Sequence, residues 1–263
     1  LLRDMGDCAL ACGEYDKLIG QFPDDPEIKW NAALAYLAVG DWAKGFEYYE
    51  SRFGLKHMSQ PPIPAGIPRW DGEPLQDKKI LIVSEQGFGD LFQMLACASR
   101  MHQRGARVVV QCHPRLHRLI LAAPVVDEVC DESGQYDQVD YYEWLMSCPG
   151  KLHLRAGDVP AAEAWLKVPD DGDDSWKESL ADNGRFKVGL NFQGSPEFPH
   201  DQFRSLDVRY FQPLFERPDV DMISIQKGFG EDQLDKLPKD SLVAVGHLLD
   251  RGHDSFADTA RCL

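Results

Sequence analysis

From Lys78 onward the sequence alternates short apolar runs with segments of helical pattern. The run from Lys79 to Ser84 and the run from Arg107 to Cys112 are typical of strands buried on both faces. The predicted elements alternate in type, with strands at 79–84, 107–112, 125–130 and 138–142 and helices at 91–104 and 114–122. Such alternation predicts a parallel sheet of the α/β class, doubly wound with helices on both faces.

A second series of the same kind begins at Phe186. Its predicted strands are 186–192, 221–226 and 242–245, with helices around 208–216 and from 255 onward. Three strands make half of a doubly wound domain, so we interpret this unit as incomplete. The acidic stretch from Asp170 to Asp174 is the predicted loop between the units. We therefore predict one α/β domain over 78–184 and the start of a second over 185–263.

The first fifty residues repeat when the sequence is shifted by 34 positions: Gly6-Asp7 falls on Gly40-Asp41, and Tyr15 falls on Tyr49. A period of 34 with a Gly-Asp turn between helices is the tetratricopeptide pattern. It predicts helical repeats over 1–56, followed by a proline-rich linker over 57–77. The alternative is a single amphipathic hairpin that packs on the next domain.

Charge and composition exclude several classes of protein. The chain has 28 basic and 43 acidic residues, a net charge of −15, which argues against binding nucleic acid or anionic lipid through general basicity. It shows neither a membrane-length apolar run nor a signal peptide. Its seven cysteines are scattered, without a CxxC pair, which predicts reduced thiols and a cytoplasmic location. The ends, Leu1 and Leu263, fall inside helical patterns, so we expect a longer parent protein.

The first strand runs directly into a glycine-rich turn and a helix, an arrangement that often binds phosphate or sugar. Gly87-Phe88-Gly89 lacks the third glycine of a dinucleotide fingerprint, because Phe92 stands there, and the second strand ends without a ribose-binding acid. Asp90 remains, at the mouth of the predicted sheet. It can act as a general base or cap the helix, and for an isolated aspartate capping is the more common role.

Glu85-Gln86-Gly87-Phe88-Gly89-Asp90, followed by Phe92-Gln93, resembles the signature of glycosyltransferase family 9, the heptosyltransferase-like proteins. The chain resembles more closely the bacterial proteins that fuse tetratricopeptide repeats to such a domain. Further matching segments cover nearly the whole chain: 49–52, 70–75, 188–194, 204–206, 224–228 and 256–260. Asn191 and Phe192 depart from the family pattern, and the segment expected after Leu263, with most donor contacts, is missing.

The resemblance implies a GT-B fold, in which two Rossmann-like domains face a cleft and transfer sugar from a nucleotide-activated donor to an acceptor hydroxyl. It implies that Asp90 is the general base and that Arg204 pairs with donor phosphate. The other substrate-binding residues that we predict are Gln86, Gly87, Gly89, Gln193, Gly194, Gln226 and Lys227. Enzymes of this kind usually work without a metal, so we expect neither metal nor cofactor.

Two classes of function therefore stay open. The first is a glycosyltransferase whose repeats present a surface to a protein partner or to the acceptor. The second is a non-catalytic scaffold or binding module with a degenerate or truncated transferase domain. Three other groups of residues favour structural roles. The pair His113 and His117 lacks a third metal ligand nearby in the sequence, and the acidic stretch 170–174 lacks the spacing of a calcium-binding loop. Cys8 and Cys12 fit the core of a helix.

Overall fold

The computed structural model describes residues 2–58, 65–131, 133, 138–158, 166–169, 172–180 and 182–263. The chain forms two compact units, Leu1–Lys167 and Val168–Leu263. Each unit contains one parallel sheet, so the predicted mixed α/β class with parallel strands is confirmed. The proline-rich run 60–64 and the first two residues of the acidic loop, 170–171, lie outside the described residues.

The first unit begins with helices that pack against one another in sequence order. They are α1 (Cys8–Gln21), α2 (Pro26–Ala38) and α3 (Trp42–Tyr49), followed by a 3₁₀ turn over Glu50–Gly54. Asp25 starts α2 by accepting hydrogen bonds from two backbone N–H groups of its first turn, and Asp41 caps α3 by accepting one, from Lys44. A Cβ atom on Gly45 would lie 2.7 Å from the Leu37 side chain, so only glycine allows α3 this close to α2.

The parallel sheet of the first unit has the strand order β3-β2-β1-β4. Its strands are β1 (Lys79–Val83), β2 (Arg107–Gln111), β3 (Glu128–Cys130) and β4 (Tyr141–Trp144). The helices that follow are α4 (Phe88–Met94), α5 (Ala96–Gln103), α6 (His117–Leu121) and α7 (Cys148–Lys151). Ile80 and Ile82 enter one core cluster, and Leu81 and Val83 enter another, so β1 is buried on both faces, as its apolar run predicts.

Several elements of this unit differ in extent from the sequence-based prediction. The third strand begins at Glu128 and not at 125, and the helix predicted over 114–122 is a 3₁₀ turn followed by α6. The helix predicted over 91–104 is divided at Leu95 into α4 and α5. The fourth strand begins at Tyr141 and not at 138, because Tyr142 and Trp144 supply its buried side chains. Asp140 instead accepts a hydrogen bond from the backbone N–H of Lys79 and ties the start of β1.

Residues 65–77 of the predicted linker belong to the body of the first unit. The backbone N–H of Trp70 donates to the carbonyl oxygen of Tyr142 at 2.8 Å, so this segment runs beside β4. The indole of Trp70 is fully buried, together with Leu75. This segment therefore contributes to the same core as the sheet.

The second unit has a parallel sheet in the order β5-β6-β7. Its strands are β5 (Phe186–Leu190), β6 (Val220–Ser224) and β7 (Val243–Ala244), and its helices are α8 (Gln212–Phe215) and α9 (Ala257–Cys262). Trp176 packs in a core cluster with Ile223, Val245 and Leu249. This packing explains why the unit begins at Val168 and not at the predicted 185.

Candidate functional site

Asp90 lies in the first turn of α4, directly after the loop that leaves β1. Its Oδ2 accepts a hydrogen bond from the backbone N–H of Gly87 at 2.9 Å, so the carboxylate caps the helix. Oδ1 accepts no hydrogen bond from the described part of the chain, and the side chain is half-buried. Ligands of open α/β sheets bind at the carboxyl ends of the strands, and α4, which carries Asp90, follows the carboxyl end of β1. Capping therefore leaves one oxygen of Asp90 available to a substrate.

The backbone of this loop turns at Gln86, which has a φ of +64°. A residue other than glycine in this left-handed region costs on the order of 1–3 kcal/mol and needs support from its surroundings. The support is a hydrogen bond of 2.9 Å from Nε2 of Gln86 to the hydroxyl oxygen of Tyr49. Gly89 leaves open space instead, because an added Cβ atom there would meet nothing within 4 Å.

Glu85, at the start of the same loop, forms a buried ion pair with Arg52. Nε of Arg52 lies 2.9 Å from Oε2 of Glu85, and Nη2 lies 2.8 Å from Oε1. Oε1 also accepts a hydrogen bond from the backbone N–H of Met146, which follows β4. Only 1% of Arg52 is exposed. This bidentate pair joins the 3₁₀ turn after α3 to the carboxyl ends of β1 and β4.

The ion pair extends into a network of charged groups. Glu50 accepts hydrogen bonds from Arg52 and from Arg69, and Arg69 also pairs with Glu143 at 2.9 Å. Three carboxylates thus share two guanidinium groups, which leaves one carboxylate without a matching cation. Glu143 is fully buried, and its Oε2 has no hydrogen-bond partner among the described residues. Burial raises the pKa of Glu143 from 4.5 to about 7.

We expect Glu143→Gln to remove part of the pH dependence of stability. The pKa of Glu143 is higher in the folded than in the unfolded chain, so folding takes up a proton between these values. The free energy of unfolding should therefore fall as the pH rises from about 5 to about 8, by on the order of 1–3 kcal/mol. Glutamine resembles the protonated acid, so the variant should lack this fall. Urea denaturation across that pH range measures it.

Glu47→Gln is the matched control, because Glu47 is an exposed glutamate on α3. It should keep the wild-type pH dependence. A Glu143→Gln variant with the same slope as the wild type would show that Glu143 does not carry the extra proton.

At the carboxyl ends of β5 and β6 in the second unit, Gln226 is buried and holds two loops together. Its Oε1 accepts hydrogen bonds from the backbone N–H groups of Phe192 and Gln193, at 2.9 and 3.0 Å. Its Nε2 donates to the carbonyl oxygens of Gln193 and Phe229. Lys227 donates from Nζ to the carbonyl oxygens of Leu249 and Asp250. Both predicted binding residues, Gln226 and Lys227, thus use their side chains to hydrogen-bond the backbone of these loops.

Gly194 and Arg204 lie side by side in the loop after β5. A Cβ atom on Gly194 would lie 2.7 Å from Nη2 of Arg204, so a side chain at this position would displace the guanidinium. Arg204 pairs with Asp201 through Nε at 2.9 Å and stacks over the ring of Phe198, 4.4 Å from its centroid. The side chain is 51% exposed. The guanidinium is therefore oriented by its neighbours and still accessible to an anion.

The remaining predicted constellations have local partners. His113 accepts a hydrogen bond from the backbone N–H of Arg115, and His117 is bonded to the carbonyl oxygen of Cys112. Within the described ranges, no group of three or more histidine, cysteine or acidic side chains could hold a metal ion. None of the helices in those ranges is both long and apolar enough to cross a membrane.

Comparison with known proteins gives one similarity of note. Protein FlbA of Caulobacter vibrioides is 24% identical over 255 residues, which covers 88% of this chain and 42% of that protein. The chain thus spans about two fifths of the length of the curated relative that it matches. No family model matches the sequence. No solved structure matches it either.

The structure groups the predicted site residues into two sets. Gln86, Gly87, Gly89 and Asp90 lie together in the first unit, and Gln193, Gly194, Arg204, Gln226 and Lys227 lie together in the second. Sequence reasoning missed Tyr49 and Arg52 as partners of the first set. The available signal was Glu85, a charged residue two positions after the apolar run of β1, which needs a cation if it is buried.

Proposed function

We propose that this chain is part of a glycosyltransferase that moves a sugar from a nucleotide-activated donor to an acceptor hydroxyl. The first unit binds the acceptor and the second binds the donor, in a GT-B arrangement of Rossmann-like units. The helices α1 to α3 are tetratricopeptide repeats in this proposal. The similarity to family 9 glycosyltransferases over the segments named above supports this assignment.

The observation that carries the proposal is the state of Asp90. One carboxylate oxygen is held by the N–H of Gly87, and the other accepts no hydrogen bond from the described residues. An anchored carboxylate with one accessible oxygen is suited to accept a proton from a bound hydroxyl. Such a group sits at the carboxyl end of β1, where α/β sheets bind their ligands.

The chemistry assigned to these residues is a single displacement. The acceptor oxygen forms a bond to the anomeric carbon of the donor while its proton passes to Asp90. The bond from that carbon to the phosphate oxygen breaks, and the nucleoside diphosphate leaves with the electron pair. Arg204 balances the charge that develops on the leaving diphosphate, because a guanidinium pairs well with phosphate oxygens.

We expect Arg204→Ala to weaken binding of nucleoside diphosphates. Loss of a hydrogen bond to a charged group costs about 1.5–3 kcal/mol. Titration calorimetry of the full-length protein with ADP, GDP and UDP measures this loss for the nucleotide that binds. The corresponding nucleotide sugars, supplied in turn, then identify the donor by release of its nucleoside diphosphate.

Arg217→Ala is the matched control. Arg217 also pairs with an aspartate two positions away, Asp219, and its side chain is 56% exposed, but it lies before β6, at the opposite end of the sheet. Its removal should leave nucleotide affinity unchanged. Equal affinities of the Arg204→Ala variant and the wild type would remove Arg204 from the donor site.

One observation favours the alternative, a non-catalytic binding module. The polar side-chain atoms of Gln226 and Lys227 are hydrogen-bonded to backbone groups of neighbouring loops. A donor would therefore have to bind without these two side chains or break their hydrogen bonds. Under this alternative the full-length protein neither binds nucleoside diphosphates nor releases them from nucleotide sugars. The calorimetric titration and the release assay separate the two functions.

A further inference from the structure

Consecutive residues of the loop after β1 are held by side chains from the N-terminal helical segment. Glu85 is bound by Arg52, and Gln86 is bound by the hydroxyl group of Tyr49. Arg52 lies 33 positions before Glu85, in the turn after α3, and Tyr49 lies 37 positions before Gln86, at the end of α3. The helical segment therefore contacts the loop through specific polar bonds.

Tyr49 is fixed in place by the core of the helical segment. Its ring lies 4.7 Å from that of Trp30 and 6.3 Å from that of Phe46, measured between centroids. The side chain is buried, and only its hydroxyl group reaches Gln86. A ring held on both sides presents this hydroxyl at a defined position, so the bond constrains Gln86 and not Tyr49.

The constraint on Gln86 is transmitted to Asp90 through one residue. Gln86 holds a left-handed backbone conformation, and the next residue, Gly87, directs its N–H at Oδ2 of Asp90. A change of φ at Gln86 would rotate the peptide unit that carries the N–H of Gly87, so this bond depends on the left-handed conformation. The hydroxyl of Tyr49 thus stabilises the conformation in which Asp90 is anchored.

We propose that the helical segment is a working part of the candidate site, in which Tyr49 and Arg52 are positioning residues that hold the loop 85–87 and thereby orient Asp90. This inference rests on the proposed function for its consequence in turnover. The restraint that Tyr49 places on the loop can be measured without a substrate. The helical segment then has a role in catalysis in addition to any role in binding a partner.

The test variant is Tyr49→Phe in the full-length protein, which keeps the ring and its packing and removes only the hydroxyl group. Backbone N–H groups of Gly87 and Leu91 are both hydrogen-bonded at the start of α4 and report on the loop by hydrogen exchange. We expect their exchange to accelerate by about three- to tenfold, the range for loss of one hydrogen bond. Exchange in α1, α2 and the strands should stay at the wild-type rate.

Turnover supplies the second measurement. The variant should lower kcat by about three- to tenfold and leave KM for the donor unchanged, because Tyr49 acts on the acceptor side. Gln86→Leu should produce a similar loss, and the double variant should lose no more than either single one, because both remove the same bond. A role of Tyr49 in general stability alone would not produce this non-additivity.

Tyr48→Phe is the control, since Tyr48 is the adjacent tyrosine of α3 and packs its ring against Tyr36. It should leave both exchange and kcat unchanged. Wild-type exchange at Gly87 and Leu91 in Tyr49→Phe would overturn the inference, even in an active enzyme. Accelerated exchange in a protein without transferase activity would instead leave the positioning intact and refute the proposed function.

Discussion

Replacing Arg52 by methionine should lower the free energy of unfolding of the first unit by about 3–5 kcal/mol, the usual cost of removing one partner from a buried ion pair. Methionine keeps most of the apolar stem but leaves the carboxylate of Glu85 buried without its cation. The loss arises mainly from that unpaired charge. Urea denaturation followed by the fluorescence of Trp70 and Trp144, both buried in this unit, measures it.

A second variant separates charge from packing. Arg52→Met combined with Glu85→Met removes both charges, so much of the lost stability should return. Arg107→Met is the exposed control: Arg107 pairs with Glu128 at the surface, where such pairs contribute about 0–1 kcal/mol. If Arg52→Met changed stability no more than Arg107→Met, the buried pair would not hold the helical segment to the sheet.

The fold class could be predicted because it depends on local patterns. Val108, Val109 and Val110 form one apolar run, and such a run needs cover on both faces of a sheet. The bounds of short elements were harder to place. A strand was predicted over 242–245, and β7 covers only Val243 and Ala244, both exposed, so no buried side chains mark its ends in the sequence.

The candidate site was predictable where it follows the chain and not where it depends on distant contacts. Asp90 follows two glycines in the turn between the first strand and the first helix of the sheet, so nearby residues in the sequence indicate its location. The bond between Tyr49 and Gln86 joins residues 37 positions apart, and hydrophobic periodicity does not encode such a contact. The sequence also did not predict which residue adopts the left-handed conformation. Glycines at 87 and 89 are the usual residues for it, but Gln86 adopts it instead.

Asp90→Asn tests whether Asp90 is the base that activates an acceptor hydroxyl, as we propose. The amide oxygen of asparagine can still accept the N–H of Gly87, so the helix cap is retained. An amide cannot take up the proton of the acceptor. We therefore expect an unchanged melting temperature and a transfer rate lower by about 10²–10⁴-fold, the usual contribution of general base catalysis.

Asp41→Asn is the matched control, because Asp41 caps α3 through the N–H of Lys44 and has no part in the site. It should melt and turn over like the wild type. The decisive measurement is the transfer rate of wild type, Asp90→Asn and Asp41→Asn with the same nucleotide sugar and acceptor. A loss of 10²-fold or more confined to Asp90→Asn is the predicted result. Equal rates for all three, or no transfer by the wild type, would contradict the assignment of Asp90 as the base.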